Sequence, residues 1–340
     1  MERFLHPSRV LLIIVIGFLA IVVVRTAHDP QSPPPAPSSH PIITRLEEFR
    51  DDFIAVLSRM MPEPHAGFVA GVLVGAKSSL SASIKQDFKL TGTSHIIAVS
   101  GYNISIIAIY VMAALLWLVP RPAAFWITIL ILLGFMLLTG AQASVVRATI
   151  MGIAGLVARR VGRLSSSVHI LLLTAGIMVA LEPGILLGDI GFQLSFLATA
   201  GLLWVSPILE ARLPFVRVLG VWGETALMTI SAQIMVVPLV VWYFKSISII
   251  ALPVNILVLP FIPLLMLLGF LTGAIGWILP PLGQLLGMLT VMVSGLILGI
   301  IRFTASLSWA SVPYTISWFG LMVWYAGTLW LLVLLKKSPE

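Results

Sequence analysis

Cysteine is absent from this 340-residue chain, and charged side chains are scarce. The first absence removes disulfides, thiolate metal sites and cysteine nucleophiles together, and it carries no information about redox compartment. Histidine adds no metal site: His6, His28, His40, His65, His95 and His169 are isolated, so no His-x-His-x-Asp-His cluster exists to hold a hydrolytic zinc. No phosphate-binding loop is present, so any transport must be powered from outside this chain. Cofactors and metals are not expected. Asp, Glu, Lys and Arg together make up 10% of residues, against about 25% in an ordinary soluble domain. A water-soluble fold could not hide the complementary excess, 59% hydrophobic residues and a mean hydropathy of +1.09.

What the chain has instead is a series of apolar runs near the roughly 20 residues needed to cross a bilayer. In hydrocarbon each backbone amide needs an internal partner, so runs of this length without strict alternation are helices. The expected fold is all-α, a polytopic integral membrane helical bundle of about ten transmembrane helices, some re-entrant or broken. The first run is Val10 to Val24, behind Arg3 and Arg9; the rest lie near 94–119, 122–139, 142–158, 168–183, 190–208, 222–244, 249–277, 282–301 and 315–335. In 249–277, Pro253, Pro260 and Pro263 leave open whether there is one helix or two half-helices. The net charge of +7 could suggest a nucleic-acid partner, but Lys and Arg gather in the cytoplasmic loops of any inner-membrane protein.

The chain divides into five parts. Residues 1–26 read as an N-terminal membrane anchor, because Arg25-Thr26-Ala27-His28 lacks a clear small-x-small cleavage site. Residues 27–41 are a Pro-rich linker. Over 42–65 the apolar Leu46, Phe49, Phe53, Val56, Leu57 and Met60 recur at three and four, opposite Arg45, Glu47, Glu48, Arg50, Asp51 and Asp52, which predicts an extracytoplasmic amphipathic helix. Residues 66–277 form the membrane core and 278–340 add C-terminal transmembrane helices. The core opens on an 11-residue apolar run, Ala66 to Ala76, too short to cross; its Gly67, Gly71 and Gly75 at i+4 spacing suit close helix packing. Lys and Arg favour a cytoplasmic N-terminus. Alternate loops then hold Arg121, Arg159, Arg160, Arg163, Arg212, Arg217, Lys336 and Lys337 inside, which puts both termini in the cytoplasm and residues 25–93 outside.

Polar residues within such runs are informative, since they are costly in lipid and face protein or water. His95, Ser100 and Asn103 mark the first polar stretch; His95 and Tyr102 would share a helix face, and Ser100-Gly101 invites unwinding. Gln142, Ser144 and Arg147 mark the second, with Arg147 about 4 to 5 Å in depth from the centre of its span. Its guanidinium suits a passing phosphate or a fixed carboxylate, for which Asp189 or Glu224 are the candidates. Asp189 and Gln193 lie one turn apart in the third, and Gln233 and Asn255 add amides further on, each followed by a proline, Pro238 and Pro260. Singly, each of these is as well explained as helix glue.

The strings "TGTSHIIAVSGYNIS" (91–105), "GAQASVVRATIMG" (140–152), "DIGFQLSFLATAGLL" (189–203) and "SAQIMVVPLVVWYFKSISIIALPVNILVLP" (231–260), preceded by the glycines of 67–75, together resemble the ComEC family of competence proteins. The resemblance implies an inner-membrane channel for uptake of single-stranded DNA during natural transformation, not an enzyme. It implies a family polar signature on His95, Ser100, Gly101, Gln142, Ser144, Arg147, Gln193, Ser195, Gln233 and Asn255. Here Tyr102 and Asn103 stand where the family often has an apolar residue and then His. Full-length relatives carry an OB-fold domain and often a metallo-β-lactamase-like domain, neither of which is legible here. Single-stranded DNA and the lipid bilayer are thus the expected partners, with a separate DNA receptor, nuclease and cytoplasmic motor, and one subunit or a homodimer enclosing the path. Two rivals stand beside this reading. A small-solute secondary transporter would favour inverted repeats, which the sequence does not show convincingly. An intramembrane hydrolase using His95 and Ser100 would need the helix between them unwound.

Overall fold

The computed structural model describes residues 41–76, 79–160 and 167–337. The expected N-terminal anchor lies outside the described residues. The described chain is almost wholly helical, as the apolar runs require. It comprises α1 (Pro41–Met60), α2 (His65–Val74), α3 (Ala82–Leu90), α4 (Gly101–Leu118), α5 (Arg121–Leu138), α6 (Ala143–Arg160), α7 (Ser167–Leu181), α8 (Ile185–Gly188), α9 (Ile190–Ala200), α10 (Ser206–Arg212), α11 (Gly220–Phe244), α12 (Ala251–Val258), α13 (Ile262–Ile278), α14 (Pro280–Ala305) and α15 (Trp318–Lys337). Two strands, β1 (Ser246–Ser248) and β2 (Ser311–Pro313), pair antiparallel with Ile247 opposite Val312 and clip one end of the bundle.

Seven helical stretches among the described residues are long and apolar enough to cross a membrane: 101–118, 121–138, 190–212, 214–244, 251–278, 280–305 and 318–335. The expected spans at 142–158 and 168–183 are shorter: the apolar part of α6 is Ala143–Val157, and α7 has 15 residues, about 22 Å of helix against a hydrocarbon core of about 30 Å. The expected span at 94–119 starts later. Ser100 has extended backbone at φ −119° and ψ 171° and caps α4, so the chain from Thr91 to Ser100 is turn and His95 shares no helix face with Tyr102.

The proline question in 249–277 is answered by two helices joined through a single 3-10 turn. Pro253 falls in the first turn of α12, where its missing N–H costs nothing, whereas Pro260 sits in a 3-10 turn, Leu259–Phe261, between α12 and α13. Pro238 behaves differently and stays inside α11. It cannot donate to the carbonyl of Ile234 one turn back, and that carbonyl instead accepts the Trp324 indole N–H at 3.0 Å, with Met235 O accepting the Tyr325 hydroxyl at 2.9 Å. Thus α15 is fastened to α11 at the carbonyl that the proline leaves open and at the one beside it.

The main core joins α1, α2, α3, α12, α13 and α14 around Leu57, Phe68, Val72, Phe88, Val258, Leu265, Ile297 and Ile301. Close approach there depends on missing side chains: a Cβ on Gly283 would sit 2.3 Å from Gly276 Cα, and one on Gly273 2.4 Å from the Phe53 ring. Every residue of α2 from Ala66 to Val74 is buried, as expected of a short docked helix. A second cluster, Val99, Ile104, Leu132 and Val145, joins α4, α5 and α6, and a third, Met178, Ile185, Leu186 and Phe192, joins α7, α8 and α9.

The packing corrects one topological expectation. Phe49 of α1 stacks on Trp277 with ring centroids 5.5 Å apart, and Val56 and Met60 lie against Gly276. These contacts place α1 beside the α13–α14 turn, whereas Gly92 lies against Ser248 and Ala251 beside the β1–β2 clip. Strict alternation of the expected spans puts 42–65 and the turn after 277 at opposite ends of the bundle, yet the two share one end. Between α1 and Gly92 the chain changes ends through α2, from His65 beside Ser294 to Gly75 beside Val99. Counting charged loops cannot register a crossing made by a helix too short to span.

Trp324→Phe should cost about 1 kcal/mol of stability by leaving the Ile234 carbonyl unpaired in an apolar bundle. With Pro238→Ala, which restores the helical N–H, that cost should shrink by half or more. A double-mutant cycle by reversible unfolding in micelles checks this, and equal costs in both backgrounds would refute the fastening role.

Candidate functional site

The site begins where two helix ends meet. The last carbonyls of α2 have no partner within their own helix. Those of Ala70 and Gly71 are taken by the N–H groups of Ala76 and Gly75 in a left-handed cap at Gly75, φ +75°, a conformation glycine adopts without strain. That of Val72 accepts Asn103 Nδ2 at 3.0 Å, and Asn103 Oδ1 in turn accepts the Ser100 hydroxyl at 3.1 Å. The polar residues of the first turn of α4 therefore bind α4 to α2. Ser144, at the start of α6, donates to Val99 O at 3.1 Å and adds the third element to the junction. Gln142 Nε2 lies 3.7 Å from where a Cβ on Gly75 would stand.

Arg147 follows one turn after Ser144 and points across to α9. It is 9% exposed. One guanidinium nitrogen donates to Thr199 Oγ1 and lies 3.7 Å from Met151 Sδ; the guanidinium carbon is 5.8 Å from the Phe196 ring centroid, within cation–π range. Gly101 makes room for the other arm: a Cβ there would lie 2.7 Å from Arg147 Nη2. Nε is buried with no partner. Among the described residues no carboxylate pairs with the group. Asp189 is occupied as the N-cap of α9, its Oδ1 accepting Phe192 N at 2.8 Å, and the salt bridges among the described residues are Arg50–Asp51 and Arg217–Glu210. An ion pair with Asp189 or Glu224, the purely structural explanation, is not formed.

Gln193 lies on α9 one turn before Phe196. Its amide donates to Leu186 O at 2.9 Å and its carbonyl accepts the Tyr243 hydroxyl at 2.9 Å, tying α9 to α8 and to the end of α11. Asn255 is 3% exposed in α12 with Oδ1 unpartnered, and Gln233 is half-buried on α11; the described hydrogen bonds do not join either to Arg147. His95 lies in the turn before α4. Of the glycines, Gly67 lies where a Cβ would meet Ser79 O at 3.0 Å, while Gly71 has ordinary space around it.

The structure therefore gathers Ser100, Asn103, Gln142, Ser144 and Arg147 into one junction, with Gln193 beside it and Gln233 and Asn255 apart. Thr199, Phe196 and Tyr243 complete it and were not singled out from sequence. Thr199 had a signal available, since it stands six residues after Gln193 in the same string. Chemically the junction offers one buried cation, hydroxyl and amide groups around it, and no anion to neutralise it.

A family model described as "Competence protein" matches residues 72–338. The chain is similar to ComE operon protein 3 of Bacillus subtilis (strain 168), at 26% identity over 234 residues, which is 68% of this chain and 29% of that relative. It thus spans under a third of the relative's length. No solved structure matches.

Asn103→Leu should destabilise the bundle by about 1–2 kcal/mol, because the Val72 carbonyl loses its donor in an apolar setting. Gln233→Leu should cost less than half of that. Unfolding of both variants in mixed micelles checks the ranking, and a reversed order would remove Asn103 from its bridging role.

Proposed function

The chain belongs to the competence protein family, and on that premise we propose that its bundle is the membrane-embedded conduit through which single-stranded DNA enters the cytoplasm during natural transformation. The observation that carries the reading is Arg147, a buried guanidinium without a counter-charge, set where α4, α6 and α9 meet. A conduit for a polyanion needs positive charge that draws phosphates in without holding them, so one arginine among hydroxyls and amides is suited to the task. An arginine fixed by a carboxylate would be less available. Thr199 and the Phe196 face are neutral partners of the guanidinium, and both can be exchanged for a charged phosphate oxygen.

Arg147 is buried in this conformation, so passage requires α9 to shift relative to α6. The helix carrying Thr199 continues into a π-helical segment, Gly201–Val205, of the kind that concentrates at functional sites. Transport rather than catalysis is the activity we propose. Its seat is the inner membrane; its drive comes from a separate cytoplasmic motor, and reception and cutting of the duplex fall to other proteins. One subunit or a homodimer encloses the path.

In a cell whose uptake depends on this chain, Arg147→Ala should reduce cytoplasmic entry of labelled DNA by about tenfold or more, the equivalent of one charge-assisted hydrogen bond. Arg147→Lys should retain part of the activity. Unchanged entry with Arg147→Ala at normal protein level would sink the phosphate-guiding role.

A further inference from the structure

We propose that the cleft between α1 and the α13–α14 turn binds one anionic phospholipid. The cleft has a volume of about 360 Å³ and is lined by Val56, Arg59, Met60, Trp277, Pro280 and Gln284, among others. It lies far along the bundle from the β1–β2 clip. Arg59 occupies the last turn of α1, where a cation also complements the helix dipole, and it makes no ion pair or hydrogen bond among the described residues. The nearest acid in sequence, Glu63, is engaged elsewhere, its Oε2 accepting Gly67 N at 3.2 Å. A guanidinium with an amide beside it, from Gln284 at the start of α14, is the donor set that a phosphodiester takes.

The apolar half of the site selects a lipid over any other phosphate. Trp277 ends α13 and stacks on Phe49, as expected of an aromatic anchor at the membrane interface. From Gln284 the same face of α14 continues at four-residue steps through Met288 and Met292, which are 66% and 71% exposed. They lie about 6 and 12 Å further along the helix, where an acyl chain descending from a headgroup at Arg59 would run. Inorganic phosphate would leave Val56, Met60 and Trp277 wet, and a nucleic-acid strand would use none of the methionine track. The proposal stands independently of the DNA path.

The test is native mass spectrometry of the full chain released from micelles doped with equal amounts of phosphatidylglycerol and phosphatidylcholine. The wild type should retain one phosphatidylglycerol about tenfold over phosphatidylcholine. Arg59→Gln should bring the ratio to near parity and Gln284→Leu should lower it about threefold, whereas Arg121→Gln should leave it unchanged. Gln284 is exposed, so its variant reports even if Arg59→Gln fails to fold. Parity in the wild type, unaltered selectivity in both variants, or displacement of the lipid by inorganic phosphate or by a short oligodeoxynucleotide would each overturn the assignment.

Discussion

Hydrocarbon does not hydrogen-bond, and this chain is organised by where its backbone carbonyls find donors. Wherever a helix stops or a proline interrupts it, a carbonyl is left open that lipid cannot satisfy. Neighbouring elements then supply side chains: Asn103 to Val72, Ser144 to Val99, Gln193 to Leu186, Trp324 to Ile234 and Ser248 to Ala310. Each of these bonds joins two elements that are separated in sequence or break direction. The irregular places in the bundle are therefore its joints, and the polar residues that looked anomalous in apolar runs are the joints' donors.

Against that background five buried side chains among the described residues, Arg147, Thr149, Ser195, Thr229 and Asn255, keep a polar atom without a partner, and the charged one stands out. Arg147 has a hydroxyl, a sulfur and a ring face, but its Nε is open and no carboxylate neutralises it; Asn255 has an unpartnered Oδ1. A buried guanidinium left half-served is what the proposed phosphate-guiding role requires. The junction around Arg147 is fixed on the α4–α6 side by Asn103 and Ser144 and is looser toward α9. An anion arriving there would compete with the Thr199 hydroxyl and the Phe196 face.

Much of this was legible in the sequence. Run length and charge scarcity gave the helical membrane class, and the strings at 91–105, 140–152 and 189–203 do converge in space. The residues that complete the site were harder to see, since Thr199 and Phe196 are ordinary in an apolar helix until a guanidinium faces them. Two errors have one origin. Reading 94–119 as a single span, and placing 42–65 at the end opposite the turn after 277, both assumed that each apolar run crosses once from side to side. Ser100 starts a helix in place of continuing one, and α2 changes ends without the length of a span; both follow from local capping and docking, which hydropathy does not encode. The prolines divided for a similar reason: Pro260 breaks its helix into two, while Pro238 is tolerated because Trp324 and Tyr325, some ninety positions away, serve the carbonyls beside it.

The absence of cysteine leaves the chain free for site-specific probes, and the most direct measurement is photo-crosslinking to a strand caught in transit. A benzophenone amino acid at position 196, against the guanidinium of Arg147, should capture labelled DNA stalled during uptake, while the same probe at the lipid-facing Leu130 should not. Capture at 196 alone is the outcome expected if the Arg147 junction lies on the path. Equal capture at both positions, or none at 196 while uptake proceeds, would contradict it.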